Sequence, residues 1–529
     1  MDFGASATKV AWRDSDGTGR LVGFDGTGQF ETSVYISADL SAFVYIAAGS
    51  NRQLYGFKQR IGEPGGALLG REIAVGVQEE SVPLIEPVSA ILGHGLAALR
   101  NACDIDAAAP GPFDDMPVVL THPVLWGEPE RQFLVQALIR SSPQRALTTV
   151  HFVTEPEAAC AYAVSQGAAS FAHGPIAVFD IGAGTLDIAV IEKAGEESVT
   201  LASDGSFTGG DDLDNILLLL VQKRLEDEHG RGAAAAFARS CREQAYSARA
   251  EARRTKESLS TDTTCVFAAT LAGDDGEDGS NVDVEIDRSE FETRIAPVLA
   301  GWKTRLEECL ASLPSRAVPG TILCSGGTSL IPALQAQLRD VALDCDAHLV
   351  VLTSTQAGPG QCVALGALEV LQAREDARLA EEARRRREAA ERQQERARRE
   401  RAIRRHNEEM IDDAIRQNTT ILRGRADALL ERIPEDEELI KVIRFKALKG
   451  YGVSSYLFDQ WSLMALSSDR MTIEPVVGDG WWRCTEVESF RHGEVMNNMI
   501  IQFRRDRLWV GYITSSEYEF IGDWCNERF

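Results

Sequence analysis

The chain has 529 residues, 44% of them hydrophobic, and a formal net charge of −25. That length allows more than one domain with a real core, and the acidic balance excludes a general nucleic-acid or anionic-membrane binder. Ten cysteines lie scattered with no Cys-x-x-Cys pair. This favours free thiols in a reducing compartment over a zinc site or disulfide framework. With no signal segment and no apolar run of transmembrane length, the expected location is the cytoplasm, without a membrane partner.

The chain opens with Asp2-Phe-Gly-Ala-Ser-Ala-Thr-Lys-Val-Ala-Trp12. An Asp-x-Gly turn is followed by hydroxyl residues and an apolar strand. Asp2 follows Met1 directly, so either the first strand is trimmed or the start lies upstream; the residues leave both open. Pro117–Thr121 reads as a buried strand and Glu128–Arg140 as the helix after it. Val178–Ile191 is a fuller copy of the opening design: two apolar runs around Asp180-Ile-Gly-Ala-Gly-Thr185, closed by Asp187. Glycines without Cβ let backbone amides approach an anion, and paired aspartates suit a hydrated Mg²⁺. The plain alternative for this hairpin alone is a glycine turn with two solvated aspartates. Leu217–Val221 is too short to span a membrane and belongs to an amphipathic helix. Gly273–Ser280 reads as a solvated acidic turn, and Thr321–Cys324 as a strand running into Gly326-Gly327.

Residues 374–409 carry thirteen arginines and ten acidic residues. Glu381/Arg385, Glu382/Arg386, Glu388/Arg392, Glu395/Arg399 and Glu400/Arg404 recur at i,i+4, the spacing of a solvated, charge-laced helix rather than a nucleic-acid arm. An apolar stripe follows at Ile411, Ile415, Asn418, Leu422, Leu429 and Ile433, as on a helix packing against a partner helix, in the same chain or by self-association as a coiled coil. Residues 434–529 read as a small α+β domain. A helix is expected over Glu437–Lys449, then strands around Trp481–Thr485, Met499–Phe503 and Leu508–Ile513. Five of the eight tryptophans fall here: Trp461, Trp481, Trp482, Trp509 and Trp524. Core packing explains most of them better than a ligand surface does.

Several segments occur in the order seen in the actin-like ATPase superfamily: Asp2-Phe-Gly, Asp180-Ile-Gly-Ala-Gly-Thr and Ser325-Gly-Gly-Thr-Ser-Leu-Ile-Pro332. Val153-Thr-Glu-Pro-Glu-Ala-Ala-Cys-Ala-Tyr162, Gly209-Gly-Asp-Asp-Leu-Asp-Asn215 and Lys256-Glu-Ser-Leu-Ser260 narrow the resemblance to the 70-kDa heat-shock chaperone family, over about residues 1–372. It implies an α/β, two-lobed actin-like ATPase fold with duplicated sheet cores (lobes 1–175 and 176–372); the charged helix and possible coiled coil over 373–433 lie beyond it. It also implies ATP or ADP with Mg²⁺, hydrolysis to ADP and phosphate, and lobe closure, which is expected to be coupled to a protein partner or client through 410–529. The implied catalytic residues are Lys58, Glu155, Asp180 and Thr185. Asp2, Asp180 and Asp187 would hold the metal through its waters. The phosphates would meet Gly4, Ala5, Ser6, Gly182, Ala183 and Gly184, and across the cleft Gly209, Gly210 and Asp211. Lys256, Ser260, Gly326, Gly327 and Thr328 would line the nucleoside side. Thr121-His-Pro123 and Arg131 resemble a relay to the distal domain.

The departures cluster. Ala5 replaces a hydroxyl, and Glu257 and Leu330 replace the two arginines that sandwich adenine in the family, with Leu330 free to pack on the base instead. The family's leucine-rich linker and β-sandwich peptide domain do not follow Ala364–Leu368. His151 stands where an arginine meets J-domain co-chaperones, so the resemblance does not carry that partner over. A nucleotide-binding scaffold with little hydrolysis is the alternative function; a small-molecule kinase lacks a sugar-site base, and a filament former lacks the heat-shock-type segments.

Overall fold

Val178, Phe179, Ile181, Ile188 and Val190 are all fully buried, because the sheet they build is covered on both faces. In the computed structural model this sheet has five strands. They are β5 (Ile176–Ile181), β6 (Leu186–Ala194), β7 (Glu197–Ser206), β10 (Thr321–Ser325) and β11 (His348–Val351), in the order β7-β6-β5-β10-β11. The structure describes the chain except residues 15, 25–26, 38–42, 45–51, 66, 76–79, 104–115, 143–149, 195–196, 244, 274–278, 315–316, 353–359, 416–426, 450–455, 468–469, 475–480, 484–486, 493–497, 504–506, 512–515, 517–518, 522 and 524–529. The chain divides into two compact units, Met1–Leu379 and Ala380–Phe529.

Side chains alternate across a strand, and here each parity has its own core. Ile176, Val178, Ala189, Ile191 and Leu323 pack with Ala158, Ala159 and Tyr162 of α4 (Glu155–Ser165) and with Cys362, Val363 and Ala367 of α9 (Cys362–Ile415). Ala177, Phe179, Ile181, Ile188, Val190 and Ile322 face the other way. They pack on α5 (Gly210–Glu243), α7 (Arg288–Ala311) and α8 (Pro332–Asp344), through Leu217, Trp302 and Leu338 among others. A third core gathers the first 140 residues. Phe3 of β1 (Asp2–Phe3), Phe57 and Ile61 of α1 (Phe57–Gly62), Ile91 and Leu92 of α2 (Ile85–Ala102) and Phe133 of α3 (Glu128–Ser141) meet there. β1 pairs antiparallel with β2 (Ala7–Lys9), and β3 (Val118–His122) runs parallel to β4 (Val150–Thr154). The mixed helix and sheet content is that of an α/β domain. Between α5 and α7 lie α6 (Ala245–Ser258) and the hairpin of β8 (Thr264–Leu271) and β9 (Ser280–Asp287). Within the acidic Gly273–Ser280 stretch, residues 274–278 lie outside the described residues.

α4 and α9 touch backbone to side. A Cβ on Gly366 would fall 1.8 Å from the Ala158 carbonyl oxygen. The charged segment is helical to Ile415, and Glu381–Arg385, Glu382–Arg386 and Glu388–Arg392 form the expected ion pairs. Glu400 instead pairs with Arg396, and Arg404 with Glu408. Of the apolar stripe, Asn418 and Leu422 lie outside the described residues. Ile411 is covered within its own chain by Leu429, Ile433, Leu439 and Val442.

In the second unit, the helix expected over Glu437–Lys449 is a strand, β12 (Leu439–Lys449). Its Leu439-Ile-Lys-Val-Ile-Arg-Phe-Lys run carries β-branched and aromatic residues, which favour a pleated surface over a helix. It sits fourth in a seven-stranded sheet with β13 (Tyr456–Ser467), β14 (Arg470–Glu474), β15 (Trp481–Arg483), β16 (Val487–His492), β17 (Asn498–Phe503) and β18 (Arg507–Gly511), ordered β15-β14-β13-β12-β18-β17-β16. Trp524 lies outside the described residues. The buried side chain of Asn407 fixes the entry to β12. Its amide nitrogen donates to Glu437 O at 2.8 Å, and its oxygen accepts from Leu439 N at 2.8 Å.

Three substitutions test this packing. Gly366→Ala should lower the melting temperature of the full chain, at a cost of about 1–3 kcal/mol from overpacking. Gly301→Ala, at an exposed position of α7 with nothing within 4 Å, should raise stability by up to ~1 kcal/mol; equal effects in a thermal melt would refute the α4–α9 contact. Asn407→Ala should cost about 1–3 kcal/mol through unsatisfied backbone groups, and hydrogen exchange should report faster exchange of the Leu439 amide.

Candidate nucleotide site

A cavity of about 310 Å³ opens where β1, α1, the head of α4, the β5–β6 turn and the turn after β10 meet. Its lining includes Asp2, Gly4, Ala5, Ser6, Lys58, Glu155, Asp180, Gly182, Ala183, Gly184 and Thr185 from the expected set. Lys256, Ser260, Gly326, Gly327 and Thr328 line it as well. Asp187, Gly209, Gly210 and Asp211 are not among the lining residues.

Lys58 and Glu155 form an ion pair at 2.5 Å, and both are buried. Phe57 and Ile61, fully buried on either side of Lys58, lock its short helix into the core. Glu155 is the first residue of α4, where Thr154 caps the helix by accepting from Glu157 N, and Pro156 suits the first turn. Three more carboxylates surround the pair. Asp2 accepts from Thr121 Oγ1 at 3.0 Å and pairs with Lys9 at 3.2 Å. Asp180 accepts from Ser325 Oγ at 2.7 Å, and Asp187, its cross-strand partner, accepts from Val124 N at 2.6 Å.

The electrostatics follow from this crowding. Burial pushes the Asp180 carboxyl up to about 6, and the Asp187 and Asp2 charges add to it against the Ser325 hydrogen bond. Burial raises Asp187 as well. For Asp2 burial also pushes upward, but Lys9 and Lys58 outweigh it and hold the group below its ordinary range. Lys58 and Glu155 respond in ways that compete: burial opposes the ammonium, yet Glu155, Asp187 and Asp2 hold Lys58 above its ordinary value. Glu155 moves up because burial, helped by Asp187, Asp2 and Asp180, outweighs the attraction of Lys58. The cluster thus holds excess negative charge that is poorly solvated.

That is the fit test for a hydrated cation. Among the described residues no three His, Cys, Asp or Glu side chains stand ready to ligate a metal directly. Asp187 Oδ2, however, is buried without a hydrogen-bond partner, and a metal-bound water is the kind of donor it lacks. Asp2, Asp180 and Asp187 therefore fit a cation held through its waters, not a closed coordination shell.

The glycines have specific work. A Cβ on Gly184 would come within 2.7 Å of Ala5 Cβ and 2.3 Å of Gln59 Nε2, so the two hairpin turns approach only because it is absent. Gly326 adopts φ 81°, and a Cβ there would strike Ile181 O at 2.1 Å. Gly210 and Asp211, from the loop expected to touch phosphate and ribose, are hydrogen-bonded to the hairpin, and a Cβ on Gly209 would meet Ala183 O at 2.7 Å. Gly210 N donates to Gly182 O at 3.0 Å and Asp211 N to Ala183 O at 2.7 Å. Thr328 Oγ1 donates to the same Gly182 O at 2.8 Å.

Sequence reasoning missed Lys9, Arg253, Gln361 and Ile331, all of which line the cavity. Lys9 sits seven residues past Asp2 and is found only through the antiparallel register Asp2↔Lys9. Arg253 lies one helical turn before Glu257, a spacing the sequence displays. On the nucleoside side Ile331, not Leu330, reaches the lining.

Two Asp-x-Gly hairpins facing one cavity in an α/β domain are consistent with an actin-like ATPase fold. Residues 116–373 match the Hsp70 protein family. The chaperone protein HscA homolog of Shewanella denitrificans is 30% identical over 253 residues, 47% of this chain and 36% of that protein. A mitochondrial-type heat shock protein 70 of Encephalitozoon hellem is 25% identical over 259 residues, 47% of this chain and 39% of that one. The chaperone protein DnaK of Thermotoga petrophila is 23% identical over 385 residues, 69% and 61% of the two chains. The chain carries an Hsp70-family ATPase domain, and it spans 36–39% of the length of the first relatives it matches.

One measurement tests the charge cluster. Asp180 binds its proton more tightly in the folded state (about 6) than at its ordinary 3.8, so its contribution to stability is present at low pH and is lost as pH rises through that window. Asp180→Asn keeps an acceptor for Ser325 but removes the charge. It should raise the melting temperature of the nucleotide-free protein at about pH 8 and lose that advantage by about pH 4. A gain equal at both pH values would show that charge burial is not its cause.

Proposed function

We propose that residues 1–372 form a two-lobed ATPase that binds ATP or ADP with Mg²⁺, and that closure of its lobes is coupled to a protein partner through residues 410–529. The observation that carries this reading is the buried Lys58–Glu155 pair set among Asp2, Asp180 and Asp187 beside the glycine hairpin. Phosphoryl transfer asks a protein mainly for positioning and charge neutralisation. Mg²⁺ bound at the three aspartates would supply the neutralising charge.

The chain's own residues would do the rest. The amides of Ala183 and Gly184 and the hydroxyls of Ser6 and Thr185 hold the phosphate oxygens, while the Gly182 amide closes the turn onto Thr185 O. Lys58, kept charged by its carboxylate neighbours, faces the terminal phosphate. Glu155 and Asp180 both have raised proton affinity, so either can orient an attacking water at a carboxylate oxygen and take its proton. The two flanking cores, one around Phe57 and Phe133 and one around Phe179 and Trp302, serve as the lobes. The chaperone names of the relatives support a client- or partner-binding role, and the eight free cysteines among the described residues suit the cytoplasm.

A scaffold with little turnover is the second reading. It rests on Ala5, which faces Gly184 with a methyl group where a hydroxyl would be available to the phosphates.

Single-turnover hydrolysis at saturating ATP separates the two. The wild type should convert ATP to ADP, and Lys58→Ala or Asp180→Asn should slow it by about 10²-fold or more. Equal rates in all three proteins would refute the enzyme reading; tight binding without turnover would select the scaffold.

A further inference from the structure

The seven strands of the second unit cannot lie as an open sheet. Its two edges, β15 and β16, are consecutive in the chain, with only residues 484–486 between them. An open sheet of that order would hold its edges six spacings apart, about 29 Å at roughly 4.8 Å per strand. The chain from Arg483 to Val487 reaches at most about 14 Å. The sheet therefore curls until its edges meet.

All its strand pairings are antiparallel, so β15 and β16 run in the same sense. Parallel neighbours need a crossover of about a dozen residues or more, and here the connection has three. β16 thus continues β15 as one course, paired with β14 through its first part and with β17 through its second. With β12, β13, β14, β17 and β18 this closes a six-course barrel. Holding a ligand inside takes about eight strands, so this interior is filled by side chains and any binding falls to the outer wall.

Register sorts the residues onto two faces. Ile443–Met464–Ile473 and Phe490–Ile501–Leu508 are cross-strand rows of one face, and Leu466, two residues from Met464, is fully buried. That face is the interior. The outer face carries Arg444, Lys446, Arg470, Arg483, Arg491 and Arg507. Among the described residues Glu474 is the only carboxylate at its paired positions. Trp461, Trp481 and Trp509 share this outer face and only Trp482 falls on the inner one, against the expectation that most of these tryptophans are core. Lys446 pairs with Trp461 on one side and on the other with Gly511, two residues from Trp509, so a cation is set between two tryptophan positions. Val442, earlier on the same face, is buried with Ile411, Leu429 and Ile433. The helical segment covers that end, and the cations and tryptophans lie further along.

We infer that the outer wall of this barrel docks an acidic segment of a partner protein. The inference rests on the reading of residues 410–529 as the partner-binding region and names the partner's chemistry. Tryptophan and arginine are the residues in which binding energy concentrates at protein interfaces. The wall is cationic on a chain of net charge −25. It suits a segment whose negative charge is local, because the rest of the chain repels an extended polyanion such as single-stranded nucleic acid.

Fluorescence anisotropy of the full chain provides the test. The probes are a labelled peptide of repeated Glu-Glu-Phe-Gly, the same peptide with Gln for Glu, and oligothymidylate. The acidic peptide should bind about tenfold more tightly than the neutral one, and Lys446→Ala or Trp461→Ala should weaken it by about tenfold. Both variants should melt with the wild type, while Trp482→Ala, on the inner face, should melt lower. Equal losses of melting temperature in Trp461→Ala and Trp482→Ala overturn the face assignment and the inference. Equal affinity for the two peptides overturns the inference and leaves partner binding in place. Tighter binding of oligothymidylate than of the acidic peptide overturns it in favour of nucleic acid. Binding of none of the three overturns the inference together with the partner-binding reading.

Discussion

The buried pair of Lys58 and Glu155 is the constraint around which the first unit is arranged. Removing two charges from water costs several kcal/mol per ion, and only close geometry with further partners offsets it. Lys58 has those partners because Asp2 and Asp187 also face it. Glu155 gains less, since the same carboxylates repel it, and so its proton affinity rises. What holds the arrangement is apolar. Lys58 is flanked by Phe57 and Ile61 in one core, and Glu155 begins the helix whose Ala158, Ala159 and Tyr162 enter another. Electrostatic strain is concentrated at one point and sustained by packing on both sides, as a functional site requires.

The hairpin at the centre of the cavity is coupled to its surroundings by main-chain hydrogen bonds. Helix N-termini commonly meet anions with free amides, but at α5 the amides of Gly210 and Asp211 are committed to the hairpin carbonyls. Ligand contact in the proposed reaction then falls to the hairpin's own amides and hydroxyls. A shift of the hairpin must carry the head of α5 with it, and Gln59, which donates to Asp211 at 3.2 Å, ties α1 to the same point. The cavity, α1 and α5 therefore share one set of contacts that any closure has to rearrange together.

Much of the first unit is legible in the sequence because the signals are local. The two Asp-x-Gly turns, the capped start of α4 and the strands ending in glycine turns each announce themselves over a few residues. The cavity's membership followed from recognising those turns. What escaped depends on register and packing. Lys9 joins Asp2 only through strand pairing, and the choice of Ile331 over Leu330 is set by the short turn after β10. The hydrogen bond from Gly210 N to Gly182 O was not legible, since motif spacing does not reveal which way an amide points. In the second unit, the run over Glu437–Lys449 fits a helical as well as a strand period because Lys and Arg interrupt it, and its β-branched content decides for the strand Leu439–Lys449.

α9 raises a mechanical point. Its Val363 lines the cavity, its Gly366 lies against the Ala158 carbonyl, and the same helix continues to Ile415. Along most of that length it has no apolar face to bury, so its rigidity must come from alanine-rich propensity and from i,i+4 ion pairs, each worth only about 0.2–0.5 kcal/mol. Such pairs weaken with salt, whereas the packed base at Gly366 does not depend on them. Any coupling along this helix requires that the charged stretch stay helical. The coupling proposed between the cavity and residues 410–529 should therefore depend on ionic strength even where nucleotide affinity does not.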